Sequence, residues 1–447
     1  MSNSRLVLST LDYLASPPKN SMKSLDIYLK KSQKNIKRSV SNKKANVLYL
    51  TRNGLLEPLG QSQVMAYLRG LSEYYSITLI SHEKLKDLSN NELMDQARTN
   101  CSKYGICWLP QKFQPHPKII APALSILKMI WLVKKEVNRE GFHLIHARSY
   151  IPAFVALIVS SLKGIPFIFD MRALWPEELI TAGKIKRGSL LHRTIVRAER
   201  SILARSAAVV SLTNVAVNYL KSKYLVELKN QRIVVIPTCV DLEKYTPHIK
   251  NYHNPKIYGC IGTILSGWFR TDLLSSWIRV AALRDPKSRF EILTRDDATK
   301  VRKILDPTNE FIERLSIKSV LSKNIPDAIR VHGISLMFFT EGLGKLGSSP
   351  TRLAEALGSG IPIVVNKGVG DVEDIVKENN IGVIVEGDSK KQMEEAFERL
   401  QILLQDPELS NRCFNTAKSI FSLDKGIGMY DKIYKAILNR KNISCVD

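Results

Sequence analysis

Between Ser348 and Val365 the chain reads SSPTRLAEALGSGIPIVV, a polar knot opened by proline, then an apolar-faced helical stretch, a glycine break and a wholly apolar run of strand length. Ser348 or Ser349 can cap a helix, and Pro350 suits the first helical position, where its missing N–H costs nothing. Gly358 or Gly360 can close the other end. Leu353, Ala354 and Leu357 form the buried stripe. A helix that opens this way points unpaired N–H groups and a partial positive charge into the preceding loop, and Thr351 and Arg352 add a hydroxyl and a guanidinium in its first turn. A phosphate fits there. Glu355, four residues after Thr351, can accept hydrogen bonds from a ribose diol. Equally open is a well-capped structural helix with a surface glutamate.

Working outward, short β-rich runs alternate with helical stretches along nearly the whole chain. ANVLYLT (Ala45–Thr51), SITLIS, HLIHA, PFIFDM, AAVVSL and RIVVIP read as strands, with helical periodicity at Gln61–Tyr74 and Leu191–Ala204. The pattern stops at PTCVDLEKYTPHIKNYHNP (Pro237–Pro255), a proline-rich polar linker. It resumes with KIYGCIGTI, RFEILT, RLSIKS, ISLMFF, IPIVVN and IGVIVE. Such alternation predicts an α/β protein of two Rossmann-like, doubly wound domains around a cleft, with ligands bound beyond the carboxyl ends of the strands. The expected organisation is a basic extension over 1–44, a first domain over 45–250, a second over 255–424, and a terminal helix over 425–447 that crosses back to the first. No repeat of solenoid or propeller length is present.

The chain of 447 residues carries a formal charge of +24, which favours anionic partners: nucleic acid, acidic lipid headgroups or phosphorylated small molecules. Of that charge, +8 lies in residues 1–45 and +16 in the rest. The first part reads either as a solvated extension or as a membrane-docking arm. The six cysteines (Cys101, Cys107, Cys239, Cys260, Cys413, Cys445) are scattered, without zinc or disulfide spacing, which fits a reducing cytosol. No apolar run is long enough to cross a bilayer, and the expectation is a protein without a membrane span or signal peptide. PALSILKMIWLVKKEV (Pro122–Val137) reads as a helix, either packed in the first domain or presenting a basic and aromatic face to a membrane surface.

Several polar residues fall where strands should end. Gly54, Gly60, Gln61 and Ser62 follow the first strand. The glycines permit close backbone approach or a turn of positive φ, and the helix near Gln61 offers a second anion-accepting terminus. The loop does not match the GxGxxG dinucleotide fingerprint. His146, Arg148 and Tyr150 follow HLIHA, and Asp170 and Arg172 follow FIFDM, so both sets belong at the cleft. Glu177 and Glu178 read as an exposed helix start rather than an acid/base pair.

The opening segment, together with NGLLEPLGQSQVMAYLRGLSE, HARSYIPAFVAL, FIFDMRALWPEE, VIPTCVDLEKY and GVGDVEDIV, resembles the family-4 retaining glycosyltransferases of the GT-B fold, in order and over most of residues 45–440. The resemblance implies transfer of a sugar from a nucleotide diphosphate sugar with retention, without a metal at the reaction centre or any other cofactor. The implied acceptor is a glycan or a lipid-linked glycan, as in cell-surface polysaccharide assembly in the cytoplasm; the basic character of the chain adds an anionic membrane surface as a further partner, and no specific nucleic acid is expected. It implies that Ser348, Ser349, Thr351 and Arg352 hold the diphosphate and Glu355 the ribose, with Glu373 a weaker candidate. Gly60, Thr263 and Arg270, the latter two in GTILSGWFRTD (Gly262–Asp272), are further donor-binding candidates. For catalysis it points to His146, Arg148, Asp170 and Arg172, Asp170 orienting the acceptor hydroxyl and an arginine binding a charged part of the acceptor. Many members carry a glutamate eight residues before the one matching Glu355, where this chain has Gly347. Sugar contacts then fall to Lys345 or backbone amides of EGLGKLG, and a noncatalytic nucleotide-sugar or anionic-polymer binding protein is an alternative on the same fold. Epimerisation also stays open, whereas no zinc-finger or RNA-recognition motif supports nucleic acid.

Overall fold

A computed structural model of the protein describes residues 44–113, 120–247 and 256–443. The basic extension therefore lies outside the described residues except for Lys44, as do the middle of the proline-rich linker and Cys445.

Seven strands form the first sheet: β1 (Asn46–Thr51), β2 (Ser76–Glu83), β3 (Cys107–Lys112), β4 (Leu144–Arg148), β5 (Phe167–Met171), β6 (Ala208–Ser211) and β7 (Ile233–Val235). All pair in parallel, in the order β3-β2-β1-β4-β5-β6-β7. The second sheet holds β8 (Ile257–Ile261), β9 (Arg289–Leu293), β10 (Leu315–Lys318), β11 (Ile334–Met337), β12 (Ile363–Asn366) and β13 (Gly382–Val385), also parallel, in the order β10-β9-β8-β11-β12-β13. Each sheet reverses its strand order beside its first strand, the switch point at which doubly wound sheets open a ligand crevice. The central strands are buried on both faces, which is why they read as continuous apolar runs.

Each sheet has its own core. Leu48, Leu50, Ile145, Phe167, Phe169 and Val209 centre the first, and Tyr258, Trp277, Phe290, Phe338, Leu353 and Val364 the second. The periodicity missed one strand, β3. It lies at the edge of its sheet, its residues are mostly half-buried, and it carries Pro110, which an edge strand tolerates because one row of its N–H groups has no strand to bond.

The helix Leu423–Ile443 packs on the first half. Tyr430 meets Tyr67 edge to face at 5.5 Å, Tyr434 meets Tyr75 at 5.0 Å, and the Tyr75 hydroxyl donates to Asp431 at 2.8 Å. The helix thereby ties the end of the chain to the helix Ala66–Leu71 and the turn before β2 rather than to the sheet it follows.

The first loop explains its glycines. Glu83, buried at the end of β2, accepts from the amides of Leu55 (2.8 Å) and Leu56 (3.0 Å) and pins the loop after β1. The helix then begins at Pro58 rather than Gln61, and Gly60 has an ordinary helical φ of −61°. No positive φ is involved. Gly60 is required because a Cβ would collide with the Gly54 carbonyl oxygen and the Leu55 backbone. Gly60→Ala is therefore expected to lower stability by at least ~2 kcal/mol through overpacking against backbone that cannot move aside, measured by urea denaturation.

Candidate functional site

The carboxyl ends of the two sheets face each other, and short polar contacts join them. Thr213, after β6, donates its hydroxyl to the Leu346 carbonyl at 2.5 Å. Asp371, after β12, accepts from the Asn214 amide (2.7 Å), the Asn214 side chain (2.9 Å) and the Val215 amide (3.0 Å). Its carboxylate thus caps the first-half helix Asn214–Lys223 from the other half. Nearby, the loop after β11 lies on the helix Trp175–Thr181 so closely that a Cβ on Gly347 would stand 2.9 Å from the Leu174 nitrogen. Glycine at 347 is therefore a packing requirement, and a glutamate there would displace this loop.

Beside these contacts a cavity opens between the halves. Pro58 supplies the first-half wall. Gly262 and Thr263 after β8, Thr294 and Arg295 after β9, and Arg352 in the first turn of the helix Thr351–Gly358 supply the polar part of the other. Two guanidiniums at strand ends and a helix terminus give this cavity the chemistry of an anion-binding site.

The opening segment differs in detail from its sequence reading. Pro350 is extended (ψ 125°) and occupies the cap position, so the helix starts at Thr351. Neither serine caps it. The Ser349 hydroxyl accepts instead from the Thr238 amide at 3.1 Å, across the halves, and the Ser348 amide bonds to Lys345. Glu355 is buried rather than on the surface, with Arg352 donating to it at 2.5 Å.

Of the remaining donor candidates, Thr263 lines the cavity. Gly60 lies in the short helix that carries Pro58. Arg270 instead grips Asp272 at 2.6 Å and sits 3.6 Å from Glu341, and Glu373 pairs with Lys377 on its own helix. Neither lines the cavity. Lys345 is buried at the meeting of three elements. Its ammonium lies 3.3 Å from the centre of the Trp268 ring in the loop after β8, and Glu178 of the first half attracts it. Burial pushes its pKa down to about 8, against the pull of Glu178.

The four catalytic candidates come together, but under the terminal helix and away from the lining of this cavity. Asp170 is fully buried, 3.2 Å from Arg148, 3.4 Å from His146 and 3.5 Å from Arg172. The other nitrogen of His146 is 2.7 Å from the Tyr434 hydroxyl. Burial lowers the His146 pKa, so the ring is neutral: a proton on Nε2 donates to Asp170, and Nδ1 accepts from Tyr434. Burial alone would raise the Asp170 carboxyl, but the Arg172 charge, the bond to His146 and the Arg148 charge outweigh it and hold it well below the usual carboxylate range. Glu177 is not exposed either. It is buried and accepts from Arg187 (2.5 Å), Tyr219 (2.6 Å) and Lys223 (3.1 Å).

Sequence reading missed Arg295, Trp268 and Asp371. Arg295 stands one residue past RFEILT, so the strand-end rule contained the signal. Asp371 carried none, because its partner lies 157 positions away.

Two doubly wound sheets facing each other across a cleft define the GT-B fold. Residues 66–244 match the model of Glycosyltransferase Family 4. The fold is similar to that of a glycosyltransferase from Rickettsia africae, with a TM-score of 0.65 and 14% identity, covering 88% of this chain and 99% of that one. Sucrose-phosphate synthase from Thermosynechococcus elongatus gives 0.63 and 14%, with coverage of 89% and 100%. Anabaena HepE in complex with UDP and glucose gives 0.59 and 13%, with coverage of 87% and 99%. Comparison with curated protein sequences finds no match.

Removing the Asp170 charge leaves the buried Arg148 and the half-buried Arg172 without their shared carboxylate. Asp170→Asn is expected to cost about 3 kcal/mol or more of stability, read by urea denaturation.

Proposed function

We propose that the protein is a retaining glycosyltransferase that moves a sugar from a nucleotide diphosphate sugar to a glycan or lipid-linked acceptor in the cytoplasm, as in cell-surface polysaccharide assembly. The observation that carries the reading is the cavity at the ends of β8 and β9, with Arg295 and Arg352 in its wall and Pro58 closing it from the other half. The family match over the first half and the UDP bound by the similarly folded HepE support the same donor class.

In this reading the diphosphate takes Arg352 from Glu355, and the freed carboxylate accepts from the ribose diol. The Thr351 hydroxyl and the opening amides of its helix complete the phosphate cradle, with Thr263 and Arg295 beside it. Lys345 adds a cation at the junction of the halves. As the bond between the anomeric carbon and the phosphate oxygen breaks, negative charge grows on the leaving group, and these cations stabilise it. The acceptor hydroxyl forms the new bond from the same face, and its proton passes to the departing phosphate oxygen. No protein base is required. The buried Asp170, His146, Arg148 and Arg172 act in this scheme as positioning residues that hold the floor of the first half.

A thermal-shift panel of nucleoside diphosphates and their sugars, followed by transfer assays with the preferred donor, tests the reading. One nucleotide is expected to raise the melting temperature, with Arg352→Ala weakening its binding by roughly tenfold or more. No nucleotide binding would sink the reading, whereas saturable binding without transfer in any acceptor screen would favour the noncatalytic alternative. Lys345 supplies a pH test. Below about pH 8 its ammonium is charged and above it neutral, so kcat/KM for the donor is expected to fall as pH rises through about 8 and to lose that inflection in Lys345→Arg.

A further inference from the structure

The helix Ile120–Glu140 follows the edge strand β3 and turns Met129, Val133 and Val137 into the first core. Its opposite face is unusual for a surface. Leu124, Leu127 and Trp131 are 47%, 61% and 64% exposed. Their spacing of three and four residues puts them in one stripe. Lys128, Lys134 and Lys135 are exposed on the same face, and the Lys135 ammonium lies 5.3 Å from the centre of the Trp131 ring. The two acidic residues of the helix do not oppose them. Glu136 is buried and paired with Arg139 at 2.8 Å, and Glu140 pairs with the same arginine at 3.1 Å.

A second feature adjoins this face. A cavity is lined by Gln111 and Lys112 at the end of β3, His82 near the end of β2, and Ser125, Lys128 and Met129 of the helix. It is distinct from the donor cavity, and among the described residues none of its lining is acidic. Lys112, Lys128 and the Ser125 hydroxyl offer three donors of the kind that bind a phosphate monoanion or diester. Lys128 belongs to both the cavity wall and the exposed stripe.

We propose that the helix Ile120–Glu140 docks on an anionic lipid bilayer, with Leu124, Leu127 and Trp131 entering the headgroup–acyl boundary and the adjoining cavity receiving the phosphate of a lipid headgroup. Apolar side chains interleaved with lysines on one helix face are what interfacial helices present to such membranes, the lysines meeting the negative surface and an indole the boundary layer. The net charge of +24 acts in the same direction at longer range. This surface stands independently of the proposed transfer, because it shares no residue with the donor cavity.

The test uses the full chain and sedimentation with vesicles of phosphatidylcholine alone or with roughly one third phosphatidylglycerol. The protein is expected to sediment with the anionic vesicles and to lose roughly a hundredfold in partitioning when Leu127→Ser and Trp131→Ser are combined, since each removes roughly one decade of apolar transfer. Lys112→Ala with Lys128→Ala is expected to reduce the preference for anionic over neutral vesicles. Lipids brominated in the acyl chain should quench part of the parent's tryptophan emission but none of that part in Trp131→Phe. Failure of the parent to bind anionic vesicles overturns the proposal. So does equal binding by the parent and the Leu127/Trp131 variant, which would assign any membrane contact to another part of the chain. Nucleotide thermal shifts on the same variants are expected to be unchanged, so loss of membrane binding and loss of donor binding are read separately.

Discussion

The backbone contact between Gly347 and the Ala173–Leu174 peptide fixes how the two halves can meet. A Cβ there would lie 2.9 Å from the Leu174 nitrogen and 3.3 Å from the Ala173 carbonyl carbon, so the loop after β11 can reach the first half only because position 347 has no side chain. That loop carries Lys345, Ser348 and Ser349 and leads into the helix that starts at Thr351. Its seating therefore sets where Arg352 stands relative to Pro58 on the opposite wall. Asp371 and Thr213 hold the same junction by capping and hydrogen bonding. Polar contacts of this kind contribute about 1 kcal/mol each, because water replaces them when they part. The junction is consequently well defined yet inexpensive to open, as a cleft that admits a bulky ligand requires.

A different constraint operates where the terminal helix crosses the first half. There the charges are sealed from water, and their mutual satisfaction is what permits burial. Asp170 answers Arg148, Arg172 and a neutral His146, and Tyr434 completes the histidine. Breaking one member leaves another charge unpaired at low dielectric, so the set behaves as a unit. The helix Leu423–Ile443 is thereby keyed to the carboxyl ends of β4 and β5. Any movement of the second half must be accommodated around this fixed tether rather than by releasing it.

The alternation of apolar runs with helical periodicity made both sheets legible from the sequence, because a strand buried on both faces has no other way to be written. β3 escaped for the complementary reason: CWLPQK is half-buried at an edge, where proline is tolerated and apolar continuity is not demanded. The helix that starts at Thr351 was legible in its proline and its apolar stripe, but not the partners of its polar groups. Ser349 looks like a cap until Thr238 arrives from 111 positions away, and Glu177 looks like a surface carboxylate until Arg187, Tyr219 and Lys223 converge on it. Strand-end residues can be located by pattern. Whether their side chains face a cavity or a buried partner depends on contacts across the sequence, and Asp170 and Arg295 fall on opposite sides of that distinction.

The same contacts decide what the net charge of +24 means. Near the cleft, cations are matched: Arg352 by Glu355, Arg270 by Asp272 and Glu341, and Lys345 by the nearby Glu178. Such pairs hold the cations in place and leave no strongly positive hole at the cleft. The helix Ile120–Glu140 follows the opposite arrangement, with its carboxylates turned to Arg139 and its exposed lysines left facing outward beside Trp131. Composition alone could not separate these two uses of positive charge. Burial does, since a cation held beside a carboxylate in a cavity wall has a short-ranged field, whereas lysines exposed along an apolar stripe act at longer range.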